Sequence, residues 1–282
     1  MIKLHDFNDI PTQTQIALTV AVRAASKAGE IIRESYPQVQ AISEKTHGDL
    51  VSQVDVKCDT VVHEAIHAAY PDDLIISEEL SPEVLPEGEY WIVDPLDGTS
   101  AYLFRVSEDM PSVMIAYCDA LGARFSVVYF PLTDEMFYAV RGQGAYERQR
   151  RLHCKDCELT SAWVEMNQYS NVQYESPEFR KLRERLRQPG GAQLISSSPA
   201  HSGVALRIAE GNKRLSAVVH DNGLDYLKQG PWDVLPIALI FTEAGGTMVS
   251  LKGQRYDPFK PEPFLMASSK KLADQIIGCL QD

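Results

Sequence analysis

No uninterrupted apolar run in these 282 residues is longer than eight positions; the longest, Val234 to Phe241, contains Pro236. A membrane-crossing helix needs about 20, so a spanning segment is not expected. Cysteine is scarce: Cys58, Cys118, Cys154, Cys157 and Cys279. Their number is odd and only two lie close together, which excludes a disulfide-stapled scaffold and fits reduced thiols in the cytoplasm. No signal peptide is visible, because Met1-Ile2-Lys3-Leu4-His5-Asp6 leads into polar residues. Cys154-Lys155-Asp156-Cys157, with His153 beside it, lacks the second Cys/His pair of a four-ligand zinc site and reads as structural. Positive charge is also in deficit, with 27 Lys+Arg against 39 Asp+Glu and a net charge of −12. A nucleic-acid binder needs clustered Lys and Arg, and the run from Arg141 to Arg151 is short enough to be a solvated strip. An acidic chain can still bind an anionic substrate if divalent cations stand between carboxylates and phosphate.

What remains is ordinary globular composition, 44% hydrophobic and 23% charged, without repeats or low-complexity tracts. A chain this long buries roughly 75% of its unfolded surface and needs no metal to fold. Two long helices open it. Thr12 to Tyr36 places Ile16, Val20, Ala24 and Ala28 on one stripe, and Asp55 to Ala69 places Cys58, Val61, Val62, Ala65, Ile66 and Ala69 on one face. His63 and His67 lie four apart on the second helix, a spacing that could hold a metal, but they flank its apolar stripe and read as surface histidines. Strands are expected at Leu74–Ser77 and Tyr90–Val93, then an antiparallel meander over 112–119, 123–129 and 135–140. The pattern breaks near 142–160. Beyond it strands and helices alternate, with Ser176-Pro177 opening one helix, another from Pro199 to Glu210, and a third from Asp233 to Ala244. The expected class is α/β: an α+β half over 1–150 carrying most of the metal ligands, and an α/β half over 151–282 supplying Asp233 and the substrate pocket.

Chemistry concentrates in Trp91-Ile92-Val93-Asp94-Pro95-Leu96-Asp97-Gly98-Thr99-Ser100. An apolar strand ends at Asp94, and Pro95 stops sheet pairing. Two carboxylates three residues apart, with a turn between them, can point at the same space. With the Leu96 carbonyl they offer hard oxygens suited to Mg²⁺. Gly98 and Thr99 offer backbone N–H groups to a phosphate oxygen. Further acids lie at element ends: Glu78 and Glu79 after a strand, Asp55 at one helix start and Asp233 at another.

"WIVDPLDGTS" and "GPWDVLPIALIFTEAGG" together resemble the two signatures of the inositol monophosphatase family, and "DLVSQVD", "SEE" and "SSPAHSGVALRIAEG" match in order and spacing. The resemblance covers nearly the whole chain. It implies a layered αβαβα sandwich of the inositol monophosphatase / fructose-bisphosphatase type, a homodimer, and lithium sensitivity. It implies Mg²⁺-dependent hydrolysis of a small phosphate monoester, inositol monophosphate by default. Glu78, Asp94 and the Leu96 carbonyl would hold one Mg²⁺, Asp94, Asp97 and Asp233 a second, and Glu78 with water a weaker third. Thr99 paired with Asp55, with Glu78 nearby, would activate the attacking water. Asp97, Gly98, Thr99, Ser100, Gly203 and His220 would contact substrate. Two such cations, roughly 3.5–4 Å apart, are the general device for in-line displacement at phosphorus.

The chain departs from the family pattern at Ser100-Ala101-Tyr102-Leu103-Phe104, at Leu235-Pro236, at the reversed Ser202-Gly203, and in a longer stretch between Val219 and Trp232. Pro236 is tolerable if Asp233 caps its helix. In that longer stretch His220, Asp221 and Asp225 are candidates for a leaving-group contact. A 3′(2′),5′-bisphosphate nucleotidase is the near alternative, towards which Ala209-Glu210-Gly211 leans. A non-catalytic regulatory member of the same fold is the other. The haloacid dehalogenase mechanism needs aspartates two positions apart and a covalent aspartyl phosphate; Asp94 and Asp97 are three apart.

Overall fold

The computed structural model describes residues 4–7, 10–36, 38, 42–46, 49–79, 88–105, 111–168, 175–197, 201–212, 215–221 and 230–281. By internal contacts the chain divides into two units, Met1–Arg150 with Pro231–Leu239, and Arg151–Gly230 with Ile240–Asp282.

The first unit begins with helix α1 (Thr12–Ser35), a two-stranded ribbon of β1 (Ile42–Thr46) and β2 (Asp49–Ser52), and helix α2 (Gln53–His67). Strands β3 (Leu74–Ser77) and β4 (Tyr90–Asp97), the short helix α3 (Thr99–Phe104), and strands β5 (Ser112–Asp119), β6 (Gly122–Phe130), β7 (Glu135–Val140), β8 (Gly144–Glu147) and β9 (Arg150–Arg151) follow. The strands form one sheet in sequence order from β3 to β9. The meander from β5 to β7 is antiparallel, as expected; β4 and β8 extend it antiparallel on either side, and β3 lies parallel to β4. Alternate residues Trp91, Val93, Val113, Ile115, Phe125, Val127 and Tyr138 pack with α1 and α2 in one core. The intervening Ile92, Met114, Ala116, Val128, Phe137 and Ala139 are buried too. A sheet covered on both faces has near-continuous apolar strands.

Two local readings need correction. Helix α1 buries Ala17, Ala21, Ala24, Ala25, Ala28 and Ile32, while Ile16 is 53% exposed and Val20 only half-buried. A strict four-residue row drifts about 40° per step around a 3.6-residue helix, so the expected stripe leaves the core. The region 142–160 does not simply break the pattern, because it contains β8 and β9, and three arginines of the basic run are paired: Arg141 with Asp119, Arg148 with Asp134 and Arg150 with Glu147.

The second unit holds β10 (Trp163–Gln168), α4 (Pro177–Leu186), β11 (Leu194–Ser196), α5 (His201–Ala209), β12 (Leu215–Asp221), β13 (Thr247–Ser250), β14 (Phe264–Ala267) and α7 (Lys270–Gln281). Its sheet order is β11-β10-β12-β14-β13, parallel across the first three strands and antiparallel across the last two pairs. Val164, Met166, Ala217, Val219, Leu265 and Ala267 pack with Phe179, Leu182, Leu272 and Ile276 of α4 and α7. Ser176 caps α4 by accepting the Phe179 N–H at 3.2 Å, with Pro177 as first helical residue. Helix α6 (Pro231–Glu243) is shared, its first nine residues grouping with the first unit. Pro199 and Asp225 lie outside the described residues. Among the described residues no helix is long and apolar enough to cross a membrane.

Close packing of α1 on the sheet depends on Gly29. A Cβ there would lie 2.4 Å from Tyr129 Cε1 and 3.0 Å from Pro131 Cβ. Tyr129 cannot swing aside cheaply, since its hydroxyl donates to Asp134 at 2.9 Å and accepts from Arg33 at 2.6 Å. Gly29→Ala is therefore expected to lose about 1–3 kcal/mol of stability, read from the urea midpoint by tryptophan fluorescence. An unshifted midpoint would mean that Tyr129 yields freely.

Candidate active site: carboxylates at the end of strand β4

Parallel pairing of β3 with β4 sets Ser77 opposite Val93, so the next residues, Glu78 and Asp94, leave the same end of the sheet together. The Glu78 N–H donates to the Val93 carbonyl at 3.2 Å. Strand β4 does not stop at Asp94 as the proline suggests. It runs to Asp97 across a bulge: Asp94 pairs with Met114 and Asp97 with Ser112, three residues against two. In a regular strand, residues three apart point to opposite faces. The extra residue of a bulge reverses that alternation and brings both aspartates to one side. Pro95 sits inside the irregularity, where the ladder needs no donor. Asp233 joins them from the first turn of α6. It is not the cap expected from the sequence, because the helix starts two residues earlier. Pro236 is accordingly an interior proline, which leaves the Trp232 carbonyl without its usual helical donor.

Ligand oxygens of Asp94, Asp97 and Asp233 all lie within 4.8 Å of one another. Asp94 is fully buried. Its Oδ1 accepts the Leu96 N–H at 3.0 Å, and its Oδ2, also buried, has no hydrogen-bond partner. Burial first, then the charges of Glu78, Asp97 and Asp233, push its carboxyl well above the usual carboxylate range, opposed only by the Leu96 N–H. A buried oxygen with no donor, ringed by anions, fits a hard divalent cation. Asp97 is steadied by Ser112, whose hydroxyl donates to its Oδ2 at 3.1 Å.

Gly98 takes the left-handed conformation, φ 78°, that lets the chain turn from β4 into α3. Thr99, first in α3, donates its hydroxyl towards Asp55 Oδ1 at 2.8 Å and towards the Leu96 carbonyl at 2.9 Å. Asp55 is the third residue of α2, not its opening residue. Ser52 is the N-cap, and the two form a capping box. That partner was missed, although Ser52-Gln53-Val54-Asp55 carries the S-x-x-D signal of such a box. Ser100 is exposed on α3.

Two residues expected at the substrate lie in the second unit: Gly203 on α5, half-buried, and His220 on β12, 2% exposed with its ring 5.1 Å from that of Phe264. Asp221 is fully buried and accepts the Ser176 N–H at 2.8 Å, so one of its oxygens anchors the start of α4. Away from the carboxylates, His67 is exposed and His63 half-buried, 3.4 Å from Asp59. The Cys154 thiol is pushed up to about 12 by burial, which does not suit a thiolate ligand. Among the described residues the three aspartates form the one group of three or more potential ligands.

Comparison with known proteins agrees with this geometry. Residues 14–282 match the model of the inositol monophosphatase family, and the chain belongs to that family. Inositol monophosphatase 2 of Solanum lycopersicum is 28% identical over 276 residues, 93% of this chain and 97% of that protein. Nus factor SuhB of Salmonella typhimurium is 37% identical over 138 residues, 48% of this chain; the chain thus spans about half the length of that relative, 51%. A solved inositol monophosphatase/NADP phosphatase, complexed with Mg²⁺ and phosphate, superposes with a TM-score of 0.78 at 19% identity, over 95% of this chain and 96% of that one. At that identity the likeness establishes the fold, a mixed α/β architecture of the inositol monophosphatase type.

Crowding of like charges predicts a response in metal-free protein. Asp97→Asn removes one of the charges acting on Asp94 and is expected to raise the metal-free melting temperature by a few °C, on the order of 1 kcal/mol. Mg²⁺ should stabilise the wild type more than this variant. Calorimetry with and without Mg²⁺ measures both, and a lower metal-free midpoint in Asp97→Asn would contradict the crowding.

Proposed function

We infer that the protein is a Mg²⁺-dependent phosphatase acting on a small phosphate monoester. The observation that carries this reading is the trio Asp94, Asp97 and Asp233 around a buried Asp94 oxygen that has no donor. Glu78, Asp94 and the Leu96 carbonyl would hold one cation, and Asp94, Asp97 and Asp233 a second. Bound there, divalent cations neutralise the phosphate dianion, acidify a bound water and stabilise the leaving alkoxide. The chain's own groups do the rest. Thr99, with its proton on Asp55, presents an oxygen lone pair that orients the attacking water. Thr99 would take up a proton from that water as its own passes along the hydrogen bond to Asp55, which is held at the N-terminus of α2. Glu78 would stand beside the same water, and the N–H groups of Gly98 and Thr99 would face a phosphate oxygen. Inositol monophosphate is the default substrate, in keeping with the tomato relative's name.

The name of the SuhB relative favours a second reading, a regulatory member of the same fold. The two are separated by a substrate panel containing inositol monophosphate and a 3′(2′),5′-bisphosphate nucleotide, with and without Mg²⁺. Hydrolysis that requires Mg²⁺ is expected, and Asp94→Asn should reduce turnover at least about a hundredfold, on the order of 3 kcal/mol. Near-normal turnover in Asp94→Asn removes its bridging role. Inactivity of the wild type across the panel favours the regulatory reading.

A further inference from the structure

Asp55 receives three donors, arranged unequally. Its Oδ2 accepts both the Ser52 N–H at 2.8 Å and the Ser52 hydroxyl at 2.6 Å, while its Oδ1 accepts from Thr99 at 2.8 Å. Ser52 Oγ in turn accepts the Val54 N–H at 3.1 Å. A capping box requires the N-cap oxygen to accept a backbone N–H and the third residue to reach back to the N-cap N–H. The Ser52 hydroxyl bond to Asp55 is additional to both. It fixes the hydroxyl rotor, since lone pair and proton are each committed, and it pins the carboxylate so that only Oδ1 faces Thr99. Ser52 and Asp55 are 3% and 1% exposed, so water does not easily replace either bond.

Thr99 has one hydroxyl proton and two acceptors, Asp55 Oδ1 at 2.8 Å and the Leu96 carbonyl at 2.9 Å. The choice matters because the Leu96 carbonyl is one of the oxygens assigned to a cation. A proton aimed at that oxygen opposes the cation, whereas a proton on Asp55 leaves the carbonyl open and turns the Thr99 lone pairs outward.

We propose that Ser52 is a positioning residue for this reaction: by locking Asp55 it directs the Thr99 proton to Asp55 and away from the Leu96 carbonyl. The proposal rests on the phosphatase reading above, with that carbonyl as a cation ligand. It extends the working group from the pair Thr99–Asp55 to a chain of three side chains, the last of which touches neither substrate nor cation.

The test uses Ser52→Gly, because glycine is tolerated at an N-cap but has no hydroxyl, and Ser52→Thr, which restores one. Two quantities are read on the full chain: the Mg²⁺ concentration giving half of the thermal stabilisation without substrate, and kcat and KM separately. Ser52→Gly should raise the Mg²⁺ midpoint and lower kcat, each by about tenfold, as the loss of a supporting partner typically does, with KM little changed. Ser52→Thr should return both towards wild type. If Ser52→Gly fails to fold, Ser52→Cys keeps a side-chain cap with a weak donor, and the same shifts are expected of it. A variant with a lower metal-free melting temperature but the wild-type Mg²⁺ midpoint and kcat overturns the proposal, leaving Ser52 as a helix cap alone. A wild type indifferent to Mg²⁺ overturns the phosphatase reading and this proposal with it.

Discussion

Repulsion among the carboxylates that meet at Asp94 is the condition the rest of the first unit has to satisfy. Two unit charges about 4 Å apart, at an effective dielectric near 20, oppose each other by roughly 4 kcal/mol, and the charges acting on Asp94 are those of Glu78, Asp97 and Asp233. Flexible loops would let such groups splay apart. Each is instead mounted where the backbone has little freedom. Glu78 follows a strand in parallel register. Asp94 and Asp97 flank a bulge with Pro95 inside it. Asp233 sits in the first turn of a helix, and Asp55 closes a capping box. The repulsion that costs stability without a cation is the attraction that binds one, so rigidity and affinity come from the same geometry.

Helix termini perform a second task here. The first turn of α6 carries Asp233, the N-terminus of α2 carries Asp55, and α3 begins at Thr99. Asp55 is fixed there by the Ser52 N–H and hydroxyl, and Thr99 by Asp55 and the Leu96 carbonyl; the positive end of a helix dipole favours anions at such positions. Helix α3 has only six residues, too few to be stable alone. Tyr102 supplies its support: it is 2% exposed and donates to the Ile32 carbonyl at 3.2 Å. The departure from the family pattern at Ser100 to Phe104 therefore includes a buried anchor for the helix that holds Thr99.

Elements were legible where the pattern was local. Strands β3, β5, β7 and β14 follow from apolar runs between turn residues, and α4 from Ser176-Pro177. Family membership and fold follow from the two signature segments. What was not legible depended on partners distant in the chain. Asp94 and Asp97 face one side because of register against Met114 and Ser112, which the i, i+3 spacing does not reveal; a turn gave the same juxtaposition for a different reason. The parallel register of β3 was hidden because Leu74 to Ser77 reads alike in either direction. Ala24 and Ala28 of the expected α1 stripe are buried, but Ile16 and Val20 drew its first half away from Ala17 and Ala21 because hydrophobicity outranks size in a sequence pattern, whereas the sheet required small residues. Ser52 was legible and passed over, a local motif overshadowed by the acid three residues on. His220 and Asp221 carry no such signal, since their burial on β12 and the bond from Ser176 arise only when β10, β12 and α4 assemble.

Net charge and substrate charge pose the last question. A chain at −12 should repel a phosphate dianion, yet screening at physiological salt reduces interactions beyond roughly 8 Å. Only groups near the scissile bond therefore set the local potential. On the proposed reading those groups include Asp94, Asp97 and Asp233, so phosphate binding would be conditional on cations in a way it would not be beside arginines. On the proposed reading Thr99 and Asp55 would orient a water at any time, but without compensating charge the anion would have no reason to remain. The local carboxylates, not the overall acidic excess, would thus work as selection. A site of this kind is closed to anions until it is loaded, and discrimination among loaded substrates must come from groups that recognise the leaving alcohol.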